Sequence, residues 1–162
     1  MEFEGKAWVF GDNINTDIIS PPQYMELSIE EAAAYSMQAV HETFAKQVAE
    51  GDIFIAADNL GSGSSRETSP LTLKYLGIKV VVAKSFARIF YRNCINLGIP
   101  AIECPDWDGI SEGDQVSIDV EQGQLLNLTR NTCFKCSKLP DNIMQMIEAG
   151  GLVNYLKAIK GE

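Results

Sequence analysis

Three short apolar runs set the strongest limit on how this chain can fold. Residues 53–58, 79–83 and 99–103 are almost unbroken hydrophobic stretches, with Lys79 the one interruption between Ile78 and Ala83. They lack the alternation of polar and apolar residues that a half-exposed strand would show, so they read as strands buried on both faces. Helical lengths separate them, about 66–76 and about 85–97. Strand, helix, strand, helix, strand in this order predicts an α/β fold with a parallel βαβαβ core. In open parallel sheets ligands meet the loops at the C-terminal ends of strands. The first such loop is Gly61-Ser62-Gly63-Ser64-Ser65-Arg66-Glu67.

The flanks follow different patterns. Lys6–Phe10 reads as a strand leading into Gly11–Asp17, a loop rich in Asx and Thr turn formers. Ile18–Tyr24 is expected to be extended, because Pro21 and Pro22 push the residues before them out of the helical region. Ser28 opens a helix with an S-x-x-E capping box through Glu31, predicted to run to about Val48 and to break at Gly51-Asp52. Beyond Pro105, Val116, Ile118 and Val120 alternate, and Leu125–Leu128 follows a polar turn, which predicts an antiparallel hairpin. A final helix spans Asp141–Lys160 and is split by Gly150-Gly151.

At 162 residues, 46% hydrophobic and 22% charged, the expectation is one domain over 1–162. The net charge of −9 disfavours nucleic acid and anionic membrane, both of which need cations to neutralise phosphate. The first residues lack a basic start and apolar core, and no apolar run reaches membrane-spanning length, so a soluble cytoplasmic protein is expected. Cys94, Cys104, Cys133 and Cys136 are too few and scattered for a disulfide scaffold. Cys133-Phe134-Lys135-Cys136 has no second ligand pair for a tetrahedral metal site, so no metal is assigned and the thiols are expected to be reduced. His41, the single histidine, is expected on a solvated helix face.

The glycine-serine loop admits two readings. Its glycines let backbone N–H groups and a helix N-terminus converge on an anion, with two hydroxyls and the Arg66 guanidinium beside them. Ser64-Ser65-Arg66-Glu67 also fits a capping box, in which one serine satisfies a helix N–H. A P-loop is excluded because Gly-Lys-Ser/Thr is missing. Arg66 stands where a dinucleotide fingerprint needs its last glycine.

Three segments in this order and spacing carry a family resemblance: Gly11-Asp12-Asn13-Ile14-Asn15-Thr16-Asp17-Ile18-Ile19-Ser20-Pro21, the 61–67 loop, and Ser85-Phe86-Ala87-Arg88-Ile89-Phe90-Tyr91-Arg92-Asn93-Cys94-Ile95-Asn96. Together they resemble the small subunits of the 3-isopropylmalate dehydratase and homoaconitase group, the swivelling β/β/α domain of aconitase-type enzymes. Cys136–Pro140 and Glu148–Leu152 are similar too, so the resemblance covers nearly the whole chain.

The resemblance implies a hydro-lyase of leucine biosynthesis that shifts a hydroxyl between neighbouring carbons of a malate-type acid by dehydration and rehydration. It implies a large-subunit partner carrying a [4Fe-4S] cluster, with no cofactor bound by this chain. Position by position, Ser64 matches the catalytic base, Ser65 and Arg66 match substrate-carboxylate contacts beside Gly63, and Asp17 matches an active-site acid. An ordinary hydroxyl is a poor base, so its alkoxide needs backbone N–H groups, the helix dipole and Arg66 in a dry site. Arg88 and Arg92, four apart on one helix, are assigned a structural or interface role.

Substrate choice in the family is attributed to the loop that here reads Tyr24-Met25-Glu26-Leu27. Homoaconitase-type subunits place an arginine there for a distal carboxylate. This chain has no arginine or lysine between Lys6 and Lys46. That favours an apolar substituent: 3-isopropylmalate first, 2,3-dimethylmalate second. The alternative of a different class is a non-catalytic module binding carboxylate or phosphate through the same loop.

Overall fold

The computed structural model describes residues 1–63 and 66–161. Its strands are β1 (Glu2–Val9), β2 (Ile53–Ala56), β3 (Val80–Ala83), β4 (Ala101–Glu103), β5 (Gln115–Asp119), β6 (Gln124–Asn127) and β7 (Thr132–Lys135). They form one sheet in the order β4-β3-β2-β1-β5-β6-β7. β1 splices two halves together. Its residues Ala7–Val9 pair parallel with Ile53–Ile55, whereas Glu2–Lys6 pair antiparallel with Asp119–Gln115. From β1 to β4 every pairing is parallel, and from β1 to β7 on the other side every pairing is antiparallel.

The strand patterns explain the division. Every residue of β2 and β3 is buried, as their unbroken apolar sequences require. In β5, Val116 and Ile118 point inward while Gln115 is exposed, the period of two expected of a sheet with one wet face. Each fully buried aliphatic side chain contributes about 1.5–3 kcal/mol relative to exposure, so the parallel half anchors the core. The sheet also curls. The chain just past β7 reaches the opposite edge strand, where Ser137 N–H donates to Glu103 O at 2.8 Å and Glu103 N–H donates to Ser137 Oγ at 3.0 Å. This covers the β4 edge, which would otherwise offer unpaired backbone groups.

The helices are α1 (Thr16–Ile19), α2 (Ile29–Ala33), α3 (Phe44–Gln47), α4 (Thr68–Tyr75), α5 (Arg88–Asn96), α6 (Asp141–Glu148) and α7 (Leu152–Lys160). The two glycines do divide α6 from α7. The capping box at Ser28 is present, with Glu31 N–H donating to Ser28 Oγ at 3.1 Å and Ser28 Oγ donating to Glu31 Oε1 at 3.0 Å. The single helix expected from Ser28 to Val48 is not. It stops at Ala33, the chain turns, and Met37 takes a positive φ of 64° that no helix accommodates. Met37 is fully buried and its N–H donates to Ile18 O at 3.2 Å, so core packing and a long-range hydrogen bond override local helix propensity.

Three further expectations are corrected. The stretch Ile18–Tyr24 is not extended: Asn15 Oδ1 accepts from Ile18 N–H at 2.9 Å and caps α1, and Pro22–Tyr24 form a 3-10 turn. The antiparallel part is a three-stranded meander rather than a hairpin, because β7, which contains Cys133, pairs with β6. His41 does not ride a solvated helix face. It packs edge-on against Trp8 at 5.2 Å and lies 3.1 Å from Glu112. No helix among the described residues is long and apolar enough to cross a membrane.

Candidate active site

The loops following β1, β2 and β3 leave the same end of the sheet, because these strands are parallel neighbours. Backbone hydrogen bonds zip the first two together. Asn13 N–H donates to Asp58 O at 2.9 Å, Gly61 N–H to Ile14 O at 2.8 Å, and Thr16 N–H to Ser62 O at 2.8 Å. Side chains add to the seam: Asp12 Oδ1 accepts from Asp58 N–H at 2.9 Å, and Asn59 Nδ2 donates to Asn13 Oδ1 at 3.1 Å. Ser85, at the end of β3, joins the third loop by accepting from Asn59 N–H at 2.8 Å and donating to Asp58 Oδ1 at 3.1 Å. Leu60 and Phe86 then form an isolated parallel bridge.

The glycines are required by this packing. Gly61 has φ 87°, and a Cβ there would collide with the Phe90 side chain at its Cβ and Cγ. Gly63 has φ 108° and lies so close to α1 that a Cβ would come within 3.0 Å of Thr16 Oγ1. The Gly-rich loop is thus pressed between α1 and the start of α5, and each side of it is a motif segment. Ser69 Oγ completes the frame by donating to Thr16 O at 3.2 Å, which fixes α4 to α1.

At the mouth of this frame Arg66 Nη2 lies 3.1 Å from Asp17 Oδ1. The Asp17 side chain is 59% exposed and that of Arg66 29%, so the pair adds little stability; its value is to aim the guanidinium. The other Arg66 amino group lies against the Met25 sulfur, which brings the 24–27 loop to the same mouth. Met25, Glu26 and Leu27 are all exposed there. Tyr24 stacks face to face on Tyr35, with ring centroids 3.7 Å apart. Nearby, Lys84 Nζ is 2.7 Å from Asp108 Oδ1, a bond that raises the lysine's pKa and keeps it cationic beside Asp58 and Asp12.

The structure therefore gathers Asp17, Gly63, Arg66 and Tyr24–Leu27. Ser64 and Ser65, the expected base and its neighbour, lie outside the described residues. The capping-box reading of Ser64–Glu67 rests on Ser64 and so lies outside the described residues; α4 begins at Thr68, with Glu67 at its N-cap position making no side-chain capping bond. Arg88 and Arg92 are exposed on α5 and neither pairs with a carboxylate among the described residues. Asn13, Asn59 and Ser85 were missed as site builders. A sequence signal existed: Asp-Asn followed by Ile or Leu occurs at 12–14 and again at 58–60, and both asparagines adopt a positive φ. Asparagine tolerates that region better than most residues.

Among the described residues no three His, Cys, Asp or Glu side chains converge as metal ligands. Cys94, Cys104 and Cys136 are buried and Cys133 is exposed on β7. A cleft lined by Glu121, Asp141, Gln145 and Glu148 lies elsewhere. Glu121 follows Asp119, which pairs with Glu2 at the opposite end of β1 from the loops, and its carboxylates would repel an anionic substrate.

The family model of the aconitase C-terminal domain matches residues 12–106, the stretch that contains these zipped loops with Asp17 and Arg66 at their mouth. The chain belongs to that family, among the small subunits of 3-isopropylmalate dehydratases. It is 42% identical over 160 residues to the 3-isopropylmalate dehydratase small subunit of Methanosarcina acetivorans, covering 98% of this chain and 99% of the relative. Against that of Aquifex aeolicus it is 46% identical, covering 97% and 95%. A crystal structure of 3-isopropylmalate dehydratase from Methanocaldococcus jannaschii superimposes with a TM-score of 0.94 at 43% identity, over 99% of this chain and 96% of that one. Aconitase X from Thermococcus kodakaraensis, at 14% identity and a TM-score of 0.52, shares the fold alone.

Proposed function

We propose that this chain, acting as one swivel domain over residues 1–162, is the small subunit of a 3-isopropylmalate dehydratase of leucine biosynthesis, active in the cytoplasm with a large subunit that carries a [4Fe-4S] cluster. When bound, that cluster supplies Lewis acidity at the departing hydroxyl. Ser64 takes the proton from the carbon next to the carboxylate, and the electron pair left by that C–H bond forms the double bond as hydroxide leaves. Returning hydroxide and proton to the opposite carbons completes the isomerisation. Arg66, aimed by Asp17, holds a substrate carboxylate through charge-assisted hydrogen bonds. Closure of the two subunits excludes water, which strengthens these contacts and positions the acid for proton removal.

The observation that carries the reading is the 3.1 Å Asp17–Arg66 pair, formed between α1 and the loop after β2, segments whose backbones are hydrogen-bonded to each other. It supports an anion-binding mouth next to the loop that bears Ser64. The substrate assignment rests on the 24–27 loop. Met25 brings a thioether to Arg66, and the loop offers no cation to pair with a second distal carboxylate, which favours the isopropyl group over a homoaconitase substrate. Nucleic acid and membrane have no part in the reading, in line with the net charge of −9.

The test is anaerobic turnover of this chain mixed with its cluster-reconstituted large subunit, comparing 3-isopropylmalate, 2,3-dimethylmalate and homocitrate. Preference for 3-isopropylmalate is expected. A preference for dimethylmalate would correct the substrate, and binding of carboxylate by the isolated chain with no turnover in the complex would replace the enzyme by a non-catalytic module.

A further inference from the structure

We propose that Tyr35 is a positioning residue for substrate selection, acting through Tyr24 to hold the 24–27 loop at a fixed height over the Asp17 helix; this rests on the function proposed above. The loop is short of fixtures. Its own hydrogen bonds are local, from Met25 N–H to Pro22 O and from Leu27 N–H to Tyr24 O, both at 3.1 Å. They shape the turn without fixing where it sits. Two contacts set its location: Arg66 against the Met25 sulfur, and the Tyr24–Tyr35 stack, whose ring planes are only 7° apart.

Tyr35 can serve because its neighbours are locked to α1. Ser36 Oγ donates to Ile19 O at 2.8 Å and Met37 N–H donates to Ile18 O, and Ser36 and Met37 are both buried. These carbonyls belong to the helix that carries Asp17. The turn that follows the end of α2 at Ala33, with Met37 at positive φ, thus clamps residues 35–37 onto α1 while Tyr35, 36% exposed, presents its ring outward to Tyr24. One rigid path runs from Asp17 through α1, Ser36 and Tyr35 to the loop that meets the substrate's substituent. A substrate-selecting loop must hold its position to tell one or two methyl groups apart, a discrimination that amounts to only about 10- to 200-fold even in a well-formed apolar pocket.

The test compares Tyr35→Ala and Tyr35→Phe in the assembled, cluster-loaded enzyme. The readout is the ratio of kcat/KM for 3-isopropylmalate to that for 2,3-dimethylmalate. Tyr35→Ala is expected to shrink the ratio about fivefold, the scale of one lost aromatic pair. Tyr35→Phe, which keeps the ring, is expected to restore it. An unchanged ratio in Tyr35→Ala, or equal shifts in both variants, would overturn the proposal. Hydrogen–deuterium exchange over residues 22–28 of the chain alone reads the anchoring without turnover. Exchange there is expected to quicken about fivefold in Tyr35→Ala, as the same lost pair would predict, and not in Tyr35→Phe. Unchanged exchange overturns the positioning role. A wild-type complex that turns over neither substrate counts against the proposed function instead, and leaves the anchoring to be decided by exchange.

Discussion

The two halves of the sheet share β1 and little else. On the parallel side, β2 and β3 are buried along their whole length and their following loops are zipped into one frame that ends in Asp17 and Arg66. On the antiparallel side, β5 and β6 bury only every second residue and β7 buries none, and their turns lie at the other end or along the far edge. Chemistry collects where parallel strands all end together, since only there do several loops meet; an antiparallel meander sends alternate turns to opposite ends. Activity should thus be sensitive to the first half, and the second should register chiefly in stability.

The sharpest way to break this comparison is Ser64→Ala. Loss of the base should lower kcat of the assembled enzyme by about 10²–10⁴, with the unfolding midpoint of the chain unchanged. Near-wild-type turnover would move the base elsewhere. Ile118, fully buried in β5, gives the opposite case. Ile118→Ala should destabilise the chain by about 2–5 kcal/mol in urea unfolding while the folded fraction keeps its kcat. A fall in kcat without lost stability would join the two halves functionally.

A smaller effect is expected at Asp114, just before β5. Its carboxylate accepts from Ser111 N–H at 2.9 Å, Asn127 Nδ2 at 2.8 Å and Arg130 Nε at 2.9 Å, and these bonds hold its pKa below the ordinary carboxylate value. Asp114→Asn should destabilise by about 1–3 kcal/mol near neutral pH. Because the folded pKa is depressed, the stabilisation is complete above the unfolded pKa of about 3.9 and is lost as pH falls through the folded value. The gap between wild type and variant in unfolding free energy should close on acidification below about pH 4; a gap that widens would contradict the assignment.

The mildest probe is alkylation under native conditions. Cys133 is exposed on β7, whereas Cys94, Cys104 and Cys136 are buried, and burial pushes the Cys94 thiol well above its usual pKa. One label per chain, on Cys133, is expected by mass spectrometry, with turnover unaffected. Rapid labelling of Cys104 or Cys136 would mean that the covered β4 edge opens.

Much of this was legible in the chain itself. Unbroken apolar runs dictated buried parallel strands, alternation at Val116, Ile118 and Val120 dictated β5, and Gly150-Gly151 divided the last helix, because each is a local pattern with one physical solution, whereas nothing local marked β7. The glycines at 61 and 63 also marked a close approach, though not of what. The residues they approach, Phe90 and Thr16, stand tens of positions away in the chain, and only the parallel register brings them together. The helix expected to reach Val48 failed for the same reason: local propensity had no knowledge of the Ile18 and Ile19 carbonyls that capture Met37 and Ser36. Sequence settled which residues could serve as strands, turns and chemical groups, since those depend on near neighbours. Tertiary structure decided which of them meet, because hydrogen bonds and packing between distant segments outweigh preferences worth less than about 1 kcal/mol per residue.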